Sequence, residues 1–220
     1  MLTGGAMTDG VVRVGDTVRR PPRSQLMRDV LMHLERVGFD GAPRWLGVDD
    51  QGRDMLSWID GETFNERGRL HPYIGDPPER ITFSGEQVAA VMRLLRRYHD
   101  TFGDEVICHG DFGPWNIVWR DSVPIAVFDF DNAYRGDAAD DVAYVLRMFI
   151  SYGFAVSPPE ELVRITVTAL RAYGSELDVP TILEHEYDLA EERCRRHGWH
   201  RQLEKLPTER AWLAANRDLF

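Results

Sequence analysis

The residues His109-Gly110-Asp111-Phe112-Gly113-Pro114-Trp115-Asn116 place an Asp and an Asn five positions apart in a short loop. Thirteen residues beyond Asn116, Val127-Phe128-Asp129-Phe130-Asp131 puts a carboxylate at the end of an apolar run. Phosphoryl transfer from a nucleotide needs such a set. One carboxylate orients the attacking hydroxyl and accepts its proton, while an amide oxygen and a second carboxylate hold Mg²⁺ against the phosphates. Mg²⁺ is a hard ion that prefers one or two carboxylates plus phosphate oxygens to an all-protein cage.

The flanking residues favour this chemistry. Ile117-Val118-Trp119 and Ile125-Ala126-Val127-Phe128 are apolar runs on either side of the turn-prone Arg120-Asp121-Ser122-Val123-Pro124. That pattern predicts a hairpin whose ends bring Asn116 and Asp129 close together. Between Asp100 and Asp141 there are ten Asp or Glu and only two Arg. Crowded carboxylates oppose one another's ionisation, and a bound Mg²⁺ would offset them.

H-G-D-x-x-x-x-N, an apolar strand and D-F-D together resemble the aminoglycoside phosphotransferase and choline kinase family, which is similar to protein kinases but has H-G-D in place of H-R-D. The resemblance implies that Asp111 is the catalytic base and that Asn116 and Asp129 are the metal ligands. It leaves Asp131 without a role. His109 and Asp141, the latter in Asp140-Asp141-Val142-Ala143, are implied as structural supports of the loop; a helix N-cap is a compatible role for Asp141. The implied cofactors are Mg²⁺ and ATP or GTP as phosphate donor.

Around this loop the pattern predicts the elements that position it. Residues 11–20 read as two short strands around Gly15-Asp16. Ser24 caps a helix over about 25–37, with Met27, Leu31, Leu34 and Val37 at helical spacing and Gly38 as stop. Residues 44–48 and 54–59 read as strands, and a polar, Pro-rich connector follows over about 65–82. Ser84 and Gln87 form a capping-box pattern at the head of a helix with Val88, Val91, Leu95 and Tyr98 on one face, ending near His99-Asp100. After Asp141 the chain reads as helical, with capping boxes at Ser157-Glu160 and Thr181-Glu184 and a last cap at Thr208. The expected class is α+β, a protein-kinase-like two-lobe fold. A small β-rich N-lobe covers 1–59, a mostly helical C-lobe covers 60–220, and the nucleotide lies between them.

The remaining nucleotide contacts follow from the resemblance. Leu2-Thr3-Gly4-Gly5 is similar to the family's phosphate loop, where Gly4 and Gly5 would let backbone N–H groups approach phosphate oxygens. Thr17-Val18-Arg19-Arg20-Pro21 stands where the family has a phosphate-binding Lys. Arg keeps the charge and can grip phosphate bidentately, and Arg19 is favoured because Arg20 precedes proline. The helix Glu that pairs with that Lys has no counterpart, since Asp29 is the only acid in 25–31. Met55 to Glu62 resembles the hinge, so adenine is expected on backbone groups of Ser57, Trp58 and Ile59. For the acceptor, Glu184 and Asp188 lie four apart on one helix face and suit an amine; a solvated helix face accounts for the same pattern.

Composition narrows the partners. The formal net charge of −10 argues against a nucleic-acid backbone as partner and attracts a cationic small molecule. No apolar stretch reaches the roughly 20 residues that span a bilayer, and the N-terminus lacks the pattern of a signal peptide. Cys108 and Cys194, far apart and without metal-site spacing, suggest reduced thiols in a cytoplasmic protein. Oligomeric state is left open. The expected function is small-molecule O-phosphotransfer to a hydroxyl of a cationic acceptor, such as an aminoglycoside or amino alcohol. The alternative is a catalytically weak or inactive kinase-like binding or immunity protein.

Overall fold

A computed structural model describes residues 10–63 and 83–220. The first part is strand-rich. Strands β1 (Val12–Val14), β2 (Thr17–Arg20), β3 (Trp45–Val48) and β4 (Asp54–Ser57) form an antiparallel sheet in the order β1-β2-β4-β3. Helix α1 (Gln25–Arg36) connects β2 to β3. Its start is set by Ser24, whose hydroxyl accepts from the Met27 N–H at 3.2 Å. The apolar spacing seen in sequence buries Met27, Leu31 and Leu34.

The second part is mostly helical. Helix α2 (Gly85–His99) begins with the expected capping box: Ser84 Oγ accepts from Gln87 N at 3.2 Å, and Gln87 Oε1 accepts from Ser84 N at 2.9 Å. Val88, Val91, Leu95 and Tyr98 are fully buried, and burying an apolar side chain of this size contributes roughly 1.5–3 kcal/mol. Strand β5 (Ile107–Cys108) precedes the loop with Asp111 and pairs with β8 (Tyr134–Arg135). Between them β6 (Ile117–Arg120) and β7 (Val123–Val127) form the expected hairpin. Its turn residues Asp121 and Ser122 both have positive φ, 51° and 65°, which matches the strand twist. Helices α3 (Ala138–Ile150), α4 (Pro159–Tyr173), α5 (Val179–His197), α6 (His200–Leu203) and α7 (Leu206–Asn216) complete the order.

Three expected caps are corrected. Ser157 does not cap α4: Pro158 occupies the N-cap and no side chain bonds there. In α5 the cap is Asp178, which accepts from Thr181 N at 3.2 Å, so Thr181 lies inside the helix. Thr208 also lies inside its helix, because α7 already starts at Leu206. Each of these helices has proline in its first turn, where the missing N–H and fixed φ are favourable; the start falls one residue after the expected cap in α4 and before it in α5 and α7.

One continuous apolar core joins α1 to the helical part, through Leu31 and Leu34 together with Leu95, Val145 and Leu183. Both cysteines are unpaired and buried. No helix among the described residues is long and apolar enough to cross a membrane.

Two buried ionic clusters tie the elements together. Arg147 of α3 donates to Glu186 of α5 at 3.0 Å and to Glu209 of α7 at 2.9 Å, while Arg193 donates to Glu186 at 2.6 Å. In the strand-rich part, Asp54 is fully buried and accepts from Arg28 Nε (2.9 Å), Trp45 Nε1 (3.0 Å) and Arg23 N (2.9 Å). Burial alone would raise the Asp54 pKa, but these three donors together hold it below the ordinary carboxylate range.

A folded pKa below the unfolded value of about 3.9 means that Asp54 stabilises the fold above that pH, and that the contribution is lost as pH falls through the lower folded value. Asp54→Ala should cost about 3–5 kcal/mol, as expected when one partner of a buried pair is removed. Urea denaturation at pH 7 measures the loss. Between pH 5 and 2 the wild type should lose stability more steeply than Asp54→Asn.

Candidate active site

Asp141, in the first turn of α3, is buried at 1% exposure. Its oxygens accept from His109 N (2.6 Å), Gly110 N (2.9 Å) and His99 Nε2 (3.1 Å). His99 Nδ1 is hydrogen-bonded to the Tyr173 hydroxyl at 2.8 Å. Burial would raise the Asp141 pKa; His99 and His109 outweigh it and hold the group below its usual value. The helix cap itself is Asp137, which accepts from Ala139 N at 2.9 Å, leaving Asp141 free to bind the loop.

His109 is fully buried. Its Nε2 lies 3.1 Å from the Phe128 carbonyl and its Nδ1 accepts from the Asp111 N–H at 3.2 Å. Burial lowers its pKa, so a neutral ring bridges the loop and the end of β7. Gly110 adopts φ +74°, and a Cβ there would sit 2.3 Å from the Asn132 carbonyl oxygen. Both the backbone conformation and the close approach require glycine at the centre of H-G-D.

Asp111 is surrounded by donors. Tyr144 OH lies 2.6 Å from Oδ1, Trp115 Nε1 3.1 and 3.2 Å from the two oxygens, and Asn116 Nδ2 2.9 Å from Oδ2. Burial pushes its pKa up to about 6, against the lowering effect of those donors. A carboxylate tuned toward neutral pH is suited to general-base work. Tyr144 and Trp115 stood out in sequence only as aromatics; their donor role depends on the α3 face and on the turn at Pro114–Asn116.

The hairpin register aligns the other acids. Ile117 pairs with Val127, and Phe128 N donates to the Asn116 carbonyl at 2.9 Å. Asn116 is thereby set beside the chain that leads into Asp129. Asp129 has left-handed backbone, φ 67° and ψ 65°, a conformation that recurs at functional sites. Its Oδ1 is 3.1 Å from Arg20 Nη1. Asp131 Oδ2 is 2.5 Å from Arg20 Nη2 and 2.9 Å from Arg23 Nε. Asp131 Oδ1 is buried without a hydrogen-bond partner. Burial, then the charge of Asp129, raise the Asp131 pKa against the pull of both arginines.

The two arginines of β2 face different acids. Arg19 lies 3.7 Å from Asp49, whereas Arg20 faces Asp129 and Asp131. Adjacent residues of a strand point to opposite faces, so only one of the two can face the site. The proline after Arg20 does not turn it away. Asp29 is bonded to Gln25 at 2.8 Å, and the carboxylates opposite Arg20 come from the D-F-D segment instead.

Ser57 N and Trp58 N already donate to the Arg44 and Asp16 carbonyls, both at 2.9 Å. With Ile59 these residues line a cavity of about 380 Å³ beside Glu35, Asp40 and Arg44, away from Asp111 and Asp129. Gly4 and Gly5 lie outside the described residues. Glu184 and Asp188 are also not gathered at the loop. They are exposed and paired with Arg217 (2.5 Å) and Arg210 (2.7 Å). Glu186, two positions from each and hence about 200° around the helix, is the acid of α5 that faces α3.

Among the described residues no group of three or more His, Cys, Asp or Glu is arranged to hold a metal ion. The available donors are the Asn116 amide oxygen and the carboxylates of Asp129 and Asp131. The orphaned Asp131 oxygen and the need for two arginines as counter-charge fit a nucleotide-bound Mg²⁺, which takes few protein ligands.

Residues 84–178 match the family model described as the phosphotransferase enzyme family. The trifolitoxin immunity protein of Rhizobium leguminosarum bv. trifolii is 34% identical over 157 residues, 60% of this chain and 54% of that protein. The chain thus spans about half the length of this curated relative. A macrolide 2'-phosphotransferase from Brachybacterium faecium superimposes with TM-score 0.55 at 15% identity, covering 89% of this chain and 85% of that one. An APH(2")-IIa solved with streptomycin and ATP gives TM-score 0.51 at 12% identity, covering 90% and 92%. The fold is therefore the kinase-like α+β fold expected from the H-G-D and D-F-D segments.

Gly110→Ala should lower stability by roughly 1–3 kcal/mol, from the positive φ and the clash with Asn132. Urea denaturation with an unchanged m-value would measure it. A loss below about 0.5 kcal/mol, the range of a neutral surface change, would mean the loop has room for a side chain.

Proposed function

We propose that this chain, whose residues 84–178 match the model of the phosphotransferase enzyme family, moves the γ-phosphate of ATP or GTP to a hydroxyl of a small cationic acceptor. The observation that supports it most is the seating of Asp111. Four hydrogen bonds from Tyr144, Trp115 and Asn116 fix its carboxylate beside the Asn116–Asp129 pair, with its pKa raised to about 6. In this reading Asp111 orients the acceptor hydroxyl and takes its proton. Asn116 and Asp129 hold Mg²⁺, which when bound neutralises charge on the phosphates. Arg20, rather than Arg19, grips the phosphate chain. The nucleotide lies between an N-lobe, 1–59, and a C-lobe, 60–220. The cationic character of the acceptor rests on the net charge of −10, not on Glu184 or Asp188. A cytoplasmic setting belongs to the same reading.

A second reading is supported by the immunity-protein relative: the chain binds a toxic small molecule or peptide and protects by sequestration. The two readings separate at Asp111. Asp111→Asn should keep nucleotide binding and lower turnover about 10²–10⁴-fold, the usual effect of removing a general base. Asp129→Asn should weaken Mg²⁺-nucleotide binding itself. Saturating MgATP or MgGTP should raise the melting temperature of the wild type by mass action, and a panel of hydroxylated amines with γ-labelled ATP should yield an acceptor. A folded protein whose melting is unchanged by both nucleotides would overturn the transferase reading. Protection that survives Asp111→Asn would favour sequestration.

A further inference from the structure

Arg20 ends β2, and only 6% of its surface is exposed. Its two terminal nitrogens divide between two acids: Nη1 is 3.1 Å from Asp129 Oδ1 and Nη2 is 2.5 Å from Asp131 Oδ2. Arg23 adds a second cation, 2.9 Å from the same Asp131 oxygen. Two guanidinium charges thus face two carboxylates, one of which belongs to the pair offered for metal. The match is incomplete. Asp131 Oδ1 and Arg20 Nε are both buried without hydrogen-bond partners, so each side keeps capacity for another ligand.

We propose that Arg20 is an exchangeable counter-ion, which neutralises Asp129 and Asp131 while the nucleotide is absent, keeps free divalent cations off them, and moves to phosphate oxygens when metal and nucleotide arrive together. The inference rests on the phosphotransferase reading and adds an order of assembly to it. A divalent ion approaching alone meets carboxylates already compensated by a fixed guanidinium, and like-charge repulsion opposes it. A nucleotide brings negative charge for both the metal and Arg20, and the planar fork of arginine grips phosphate as well as carboxylate. Metal and nucleotide must then strengthen each other's binding by the same factor.

Mn²⁺ alone is the probe, followed on the full-length chain through the electron paramagnetic resonance signal of the free ion. Wild type should take up Mn²⁺ about tenfold or more weakly by itself than with ADP present, within the usual range of coupling between sites. Arg20→Gln should bind Mn²⁺ alone about tenfold more tightly than wild type, and should bind metal-free ADP about tenfold more weakly, a typical loss for one charge-assisted phosphate contact. Arg20→Lys, which keeps the charge, should still exclude Mn²⁺. Arg20→Gln binding Mn²⁺ no better than wild type would overturn the proposal. So would wild type that holds Mn²⁺ alone as tightly as with ADP, a result readable even if Arg20→Gln fails to fold. Wild type that binds neither ADP nor its Mn²⁺ complex would instead remove the phosphotransferase reading, while tighter Mn²⁺ binding by Arg20→Gln would still support the counter-ion role.

Discussion

The carboxylate of Asp141 accepts from two consecutive backbone N–H groups of the loop, His109 and Gly110, and from His99 at the end of α2. A buried charge is tolerated only when it is bonded this completely. The requirement runs both ways. The loop must take the shape that presents those two N–H groups, and that shape forces positive φ at Gly110 and leaves Asp111 facing Tyr144. His109 then passes the constraint to the carbonyl of Phe128, next to Asp129. Three elements distant in sequence, the end of α2, the loop and the start of α3, are registered by one side chain.

Beside this anchor, the hairpin β6–β7 contributes a second kind of constraint. Its pairing places Asn116 opposite Phe128 by backbone bonds alone, so the spacing between amide and carboxylate does not depend on flexible side chains. Arg20 comes from a separate sheet and closes the same group of acids from the other side. The site thus joins a backbone frame set by hydrogen bonds to paired charged side chains from two elements, which suits a ligand that brings its own charge.

How much was legible in the sequence follows from what each feature depends on. The H-G-D loop, the hairpin and the Ser24 and Ser84 caps are local: their residue types and spacing determine backbone geometry within a few positions. Arg19 against Arg20 is a question of strand parity. The pattern Thr17-Val18-Arg19-Arg20 alternates too weakly to answer it, and the following proline does not keep Arg20 from facing Asp129 and Asp131. Glu184 and Asp188 do share a helix face, but sequence could not say which neighbour that face meets; it meets the arginines of the last helix and turn. The helix caps at Ser157, Thr181 and Thr208 failed because a proline in the first turn marks the start instead, one residue after the expected cap in α4 and before it in α5 and α7. The hydrogen-bonding roles of His99, Tyr144 and Trp115 gave no signal, since each acts through contacts set by tertiary packing.

The cluster of Arg147, Glu186, Arg193 and Glu209 has a consequence for the order in which the molecule can be completed. Two positive and two negative charges balance there, and all but Arg193 are essentially without solvent contact. During synthesis Arg147, Glu186 and Arg193 leave the ribosome before Glu209. Until Glu209 arrives the cluster holds an excess positive charge that resists being enclosed. The packing of α3 against α5, which presents Tyr144 to Asp111, therefore has to wait for α7. A ribosome-bound chain stopped short of Glu209 would hold every residue of the H-G-D and D-F-D segments and still lack a closed core around them.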